Sequence, residues 1–163
     1  SASNRVANYL LSAFDLKNGG QIGVMMHRSE KLLITLLGIL KAGGTYVSLD
    51  PSYPKDRLEY ILSVAGCKTV FYEEEQTNIS LSGHYCPFTD YAQTSSASTD
   101  SVDLTIDPET LVYLLFTSGS TGVPKGVPIS HKNVLACTEG LNQVVYDYDT
   151  VLATTSINFD VSV

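Results

Sequence analysis

Positive charge is in short supply in this sequence. Ten Lys and Arg stand against 17 Asp and Glu, a formal net charge of −7, and a broadly acidic surface repels nucleic acid. The imbalance does not exclude a single anionic ligand held by local donors. Cysteine is sparse as well: Cys67, Cys86 and Cys137 are odd in number, far apart and without a CxxC pair. That pattern argues against a disulfide framework or a cysteine zinc site. Scattered reduced thiols fit a cytoplasmic setting. His27, His84 and His131 have no metal-ligand spacing to one another or to Cys or Glu clusters, so no metal site is expected within the chain. Long hydrophobic runs are missing too. KLLITLLGILKAGG is too short and too amphipathic to span a bilayer, and SASNRVANYL lacks the charged-then-apolar order of a signal peptide. Neither a membrane nor a nucleic acid is an expected partner.

What is present is the composition of a globular domain. The 163 residues are 44% hydrophobic and 17% charged, enough for a packed core in one domain or in a piece of one. Both ends read as cut: the chain starts inside a helical pattern and stops in the apolar run INFDVSV, so a fragment is expected. Arg5 to Phe14 is helical in spacing (Val6, Leu10, Ala13) and is broken by Gly19-Gly20. QIGVMMH, from Gln21 to His27, reads as a buried strand. Leu33, Leu36, Leu37 and Leu40 mark a helix over Glu30–Ala42 that stops at Gly43-Gly44. Thr45–Leu49 is strand-like, DPSYP turns, and Pro54 starts a helix carrying Leu58, Ile61, Leu62 and Ala65 up to Gly66. Lys68–Tyr72 is a further strand.

Strands alternating with helices of about a dozen residues predict an α/β fold, a largely parallel sheet covered by helices. Residues 73–107 break the rhythm. They are polar and rich in Ser and Thr, and read as a surface excursion with room for one short strand. Order returns in the buried strand Leu111–Phe116, which runs straight into TSGSTGVPKG. Ser130 then caps a helix through about Val145, Thr150–Thr154 is strand-like, and no internal repeat is evident.

The segment from Thr117 to Gly126 combines three glycines, four hydroxyl residues and a lysine. Glycines let backbone N–H groups converge on oxygen atoms. Thr117, Ser118, Ser120 and Thr121 add hydroxyl donors, Lys125 adds a point charge, and Pro124 limits relaxation. A strand end in an α/β sheet is also where ligands bind. The spacing does not fit GxxxxGK[ST], since Pro124 and Lys125 stand where Gly and Lys belong, and GxGxxG is absent. On residue chemistry alone, a phosphate cradle and a flexible Gly/Ser surface loop both remain open.

LLFTSGSTGVPKGVPISHKNV resembles the phosphate-binding signature of the adenylate-forming superfamily, [ST]SG[ST]TGxPKG, matched at every fixed position from Thr117 to Gly126. Leu36–Leu62 is similar to the LKAGxxYxxLDPxYPxxRL stretch of nonribosomal peptide synthetase adenylation domains, with Ser48 where proline is usual. NFDVSV resembles the FDxS motif of the amino-acid-activating branch. By spacing alone Asp160 is ambiguous between a surface carboxylate, a cap and a ligand.

The resemblance implies residues 1–163 to be the N-terminal part of an AMP-binding adenylation domain. Thr117, Ser118, Gly119, Ser120, Thr121, Gly122 and Lys125 would hold ATP phosphates. Asp160 would pair with a substrate ammonium, with Phe159 and Val161 flanking the pocket. A buried carboxylate facing a cation separates an amino acid from a plain acid. The implied reaction is attack of an amino-acid carboxylate on the α-phosphate of ATP, releasing pyrophosphate, followed by transfer to the phosphopantetheine thiol of a peptidyl carrier domain. The adenine segment, the Mg2+ ligand, the hinge and the catalytic lysine would lie outside these residues, so the remainder of the adenylation domain is an expected partner and this stretch alone is expected to be inactive. An acyl- or aryl-CoA ligase, a reductase of the aminoadipate type and a non-catalytic scaffold retaining the fold are the competing readings.

Overall fold

The computed structural model describes residues 1–14, 16, 19–73, 84–87 (backbone), 97–117, 123–142 and 157. Helix starts in it are set by local side chains. Ser1 accepts a hydrogen bond from the Asn4 amide and opens α1, Ala2–Ala13. Ser29 does the same for α2, Glu30–Lys41, through the Leu32 amide. These are N-cap bonds, each satisfying an amide that the first turn leaves without an intrahelical partner. α3, Lys55–Ala65, follows Pro54 at its N-cap and ends at Gly66. Gly66 has φ +69, a left-handed conformation open to glycine at small steric cost. It lets the Cys67 amide donate back to the Leu62 carbonyl at 2.9 Å.

The strands are β1 Gln21–Met25, β2 Thr45–Ser48, β3 Thr69–Tyr72, β4 His84–Pro87, β5 Leu111–Thr117 and β6 Lys125–Ser130. They form one sheet in the order β4-β3-β1-β2-β5-β6. All described pairs are parallel except β5–β6, which is antiparallel. The fourth described helix, α4, covers His131–Asn142. The fold is the expected helix-covered, largely parallel α/β sheet.

Side chains alternate across this sheet and build two cores. Ile22, Val24, Tyr46, Phe71, Tyr113 and Leu115 join Val6, Leu10, Leu32 and Ile39 of α1 and α2 on one face. Met25, Val47, Val70 and Phe116 join Leu58, Ile61 and Leu62 of α3 on the other. Burial on both faces is what a parallel central sheet requires.

Three findings refine the sequence reading. The leucine stripe of α2 only partly faces the core: Leu36 and Leu40 pack against it, whereas Leu33 and Leu37 are 61% and 51% exposed, and Leu32, Thr35, Gly38 and Ile39 are buried. The cause is the contact with α1, where a Cβ on Gly38 would collide with Cβ of Val6 and come within 3.1 Å of the Ser3 carbonyl. Helix α2 turns Gly38 toward α1, with Leu32 and Ile39 in the core the two helices share. Second, the last two residues of the expected loop, Lys125 and Gly126, begin a strand that runs to Ser130. Third, α1 starts at Ala2, earlier than Arg5. Inside the polar excursion, β4 extends the sheet beside β3. The carbonyls of Ser98, Thr99 and Asp100 accept from the side chains of Asn4 and Asn8 on α1.

Candidate functional site

Thr117 ends β5 and Lys125 begins β6, and the two are directly paired across the antiparallel ladder. Both residues are exposed. Residues 118–124 connect them, so the glycine-rich segment joins two hydrogen-bonded strands. By the alternation along β5, Leu115 belongs to the α1/α2 face and Phe116 to the α3 face. Thr117 and its partner Lys125 therefore fall on the α1/α2 side of the sheet. A hydroxyl and an ammonium brought side by side, with no carboxylate on either strand, make a donor set that suits an anion.

The hairpin is anchored from below. Ser130, its last residue, is buried. The Ser130 amide donates to Oδ1 of Asn133 at 3.0 Å, and the Asn133 amide donates to Oγ of Ser130 at 3.3 Å. That reciprocal pair closes the first turn of α4 as a capping box does, with Asn in the place of Glu. The His131 and Lys132 amides donate to the carbonyls of Thr110 and Pro108, so the start of α4 is tied to the start of β5.

Thr117 lies at the C-terminal edge of the parallel strands, the edge at which α/β sheets bind ligands. The DPSYP turn leaves β2 at the same edge. Oδ1 of Asp50 accepts from the amide and hydroxyl of Ser52 at 2.9 and 2.7 Å, and the Arg57 guanidinium sits 4.0 Å from the centre of the Tyr53 ring. A pairing that sequence reasoning missed joins the ends of β1 and β3. Nδ1 of His27 lies 2.8 Å from Oε2 of Glu73, and the His27 amide donates to the same oxygen at 3.2 Å. The two residues are 46 apart, so the only available signal was that each stands at the end of an apolar run.

Two cavities open at the opposite edge. One of about 480 Å³ is lined by Leu11, Leu16, Ala42, Leu104, Ile106 and Thr110. The other, of about 330 Å³, is lined by Phe14, Gln21, Lys68 and Thr69 among others. Both adjoin the first residues of strands, away from Thr117. Among the described residues no group of three or more His, Cys, Asp or Glu could hold a metal ion, and no helix is long and apolar enough to cross a membrane.

Of the expected site residues, the structure thus brings Thr117 and Lys125 together. Ser118, Gly119, Ser120, Thr121 and Gly122 lie outside the described residues, as do Phe159, Asp160 and Val161, and so do the expected strand at Thr150–Thr154 and the expected helix end at Val145.

The sequence model of the AMP-binding enzyme family matches residues 1–163. The chain belongs to the AMP-binding enzyme family. Within that family it is similar to peptide synthetases. It is 34% identical to a linear gramicidin synthase of Brevibacillus parabrevis over 97% of its own length. It is 37% identical to a mycosubtilin synthase of Bacillus subtilis over 87%. The chain spans about 3% and 6% of those two proteins. Among solved structures, the nonribosomal peptide synthetase FmoA3 superposes with a TM-score of 0.86 at 26% identity, covering 99% of this AMP-binding chain and 17% of that one. Its AMPPNP-bound form matches equally well.

Proposed function

We propose that this AMP-binding chain forms the phosphate-holding part of an amino-acid adenylation domain. The complete domain converts an amino acid and ATP into an aminoacyl-adenylate and pyrophosphate, then passes the acyl group to the phosphopantetheine thiol of a carrier domain. The observation that carries this reading is Lys125 paired opposite Thr117 at the ligand edge of the sheet, in a chain 34% and 37% identical to peptide synthetases. The AMPPNP-bound and α-methyl-L-serine-AMP-bound forms of FmoA3 support it.

In this mechanism Thr117, Ser118, Gly119, Ser120, Thr121, Gly122 and Lys125 surround the β- and γ-phosphates. Charge grows on the departing pyrophosphate as the substrate carboxylate attacks, and donors already fixed at those oxygens lower the barrier. Asp160 holds the substrate ammonium, with Phe159 and Val161 beside the side chain. Mg2+, held by residues outside this stretch, supplies further charge neutralisation when bound. Residues 1–163 alone do not turn over.

The test is ATP–pyrophosphate exchange on the complete polypeptide against a panel of amino acids and simple acids. Lys125→Ala is expected to lower kcat for exchange about a hundredfold. Asp160→Asn is expected to lower kcat/KM for the amino acid by about two orders of magnitude, as loss of one partner of a buried charge pair does. Activation of simple acids in preference to amino acids, unaffected by Asp160→Asn, would turn the assignment toward an acyl- or aryl-CoA ligase. Robust exchange by residues 1–163 alone would overturn the division of the site.

A further inference from the structure

The β5–β6 hairpin poses a question of register. A two-residue turn dictates which residues face each other across a hairpin, but here the paired residues Thr117 and Lys125 are separated by residues 118–124. A connection of that length leaves the pairing undetermined. At the other end the ladder is irregular: Leu111 pairs with Ser130 and Tyr113 with Ile129, a shift of one residue. The amides of His131 and Lys132 tie the far end to the Thr110 and Pro108 carbonyls, but the irregularity lies between that tie and Lys125. The register at Lys125 therefore needs a lock of its own, and the consequences of slippage are large. A slip of one residue would turn Lys125 to the α3 face, away from Thr117, because side chains alternate with period two.

Between the two ends, Phe116 pairs directly with Gly126. Phe116 is 6% exposed and belongs to the core beneath α3. A Cβ on Gly126 would stand 3.3 Å from Cζ of Phe116 and 3.3 Å from Cδ1 of Leu114. The ring of Phe116 thus lies close over the one residue of β6 that has no side chain. In either slipped register, Lys125 or Val127 would take that place and thrust a side chain into the ring. Aromatic cover of an edge-strand glycine is a recognised means of pinning register.

We propose that Phe116 and Gly126 are positioning residues that lock the hairpin in the register placing Lys125 opposite Thr117. The role attributed to Lys125 rests on the functional reading above; the lock itself does not. Lys125 is thereby positioned from the α3 core, on the opposite face of the sheet from its own side chain.

Disulfide trapping separates the two claims. Thr117→Cys and Lys125→Cys, placed in a full-length Cys137→Ser background, report the register by forming a cross-strand bond. Gly126→Val is expected to lower the trapped yield about tenfold, and adding Phe116→Leu to recover it to within about threefold, by making room for the new side chain. Gly126→Ala, which demands a shift of only a few tenths of an ångström, is expected to lose about twofold and keeps the test decisive if Gly126→Val does not fold. Trapping that is indifferent to Gly126, or a loss that Phe116→Leu does not relieve, would overturn the lock. In the otherwise native chain, Gly126→Val should raise KM for ATP in the exchange assay while leaving KM for the amino acid unchanged, a split that general destabilisation would not produce. A parent chain without exchange activity would defeat the functional reading and leave the trapping result to decide the lock.

Discussion

The contact between α1 and α2 and the β5–β6 hairpin are organised on opposite terms. In the first, Gly38 meets Val6 with no space for a methyl group, and Lys41 binds across to Ser3 and Asn4 at 2.9 and 2.8 Å. In the second, β6 is exposed along Lys125–Pro128, and α4 leaves Leu135 and Leu141 59% and 54% exposed. The first region is specified by packing, and its residues answer to their neighbours. The second is held at a few points, Phe116, Ser130 and the Thr110 carbonyl, and most of its remaining described residues are exposed.

Mutational energies should follow this division, beginning with its largest consequence. Phe71, fully buried beneath α1 and α2, is expected to cost about 3–5 kcal/mol when changed to alanine. Leu135→Ala on α4 should stay within about 0.5 kcal/mol. Urea denaturation measures both, and equal losses would erase the contrast.

Gly38→Ala sharpens the comparison from the packed side. Overpacking costs about 1–3 kcal/mol, whereas alanine in a helix interior gains about 1 kcal/mol over glycine. A net loss is expected because the obstacle includes the Ser3 carbonyl as well as Val6. Val6→Ala in the same chain should make the Gly38→Ala step less costly; a Gly38→Ala protein more stable than its parent would show that the helices can separate freely.

The smallest effect concerns the two described thiols. Cys137 on α4 is exposed, whereas Cys67 is partly buried after α3, and burial pushes its thiol from 9.0 up to about 12. The folded state therefore keeps the Cys67 proton that an unfolded chain would lose. Stability from this group is unchanged below about pH 9 and falls as the pH rises from 9 toward 12. In the folded protein at pH 8, Cys67 should alkylate about tenfold or more slowly than Cys137, because the thiolate is the reactive form. Peptide mapping after timed alkylation reads this, and equal rates would place Cys67 at the surface.

The parallel half of the sheet was legible in the sequence because each element there carries its own boundary. Gly19-Gly20, Gly43-Gly44 and Gly66 punctuate strands and helices whose apolar spacing is unambiguous. β6 was not legible, because KGVPIS contains a glycine and a proline that argue against a strand. Its place at the end of the described strand order fits them: proline is tolerated on edge strands, and Gly126 lies against Phe116. The buried face of α2 was not legible for a related reason. Counting leucines finds the most apolar stripe, but the stripe of closest approach contains Gly38. As for the site, TSGSTGVPKG was recognisable by resemblance while its chemistry alone left two readings open. The structure adds what spacing lacked, the pairing of Thr117 with Lys125 and the His27–Glu73 contact at the same edge.

Tethering both ends of residues 118–124 to adjacent strands has a consequence for engineering. Once loop ends are held together, even doubling a flexible loop costs only about 0.6 kcal/mol in closure entropy. A library varied across 118–124, in sequence or in length, should therefore fold almost uniformly. Under the proposed phosphate-holding role, activity lost in such a library would report on ligand chemistry rather than on unfolding.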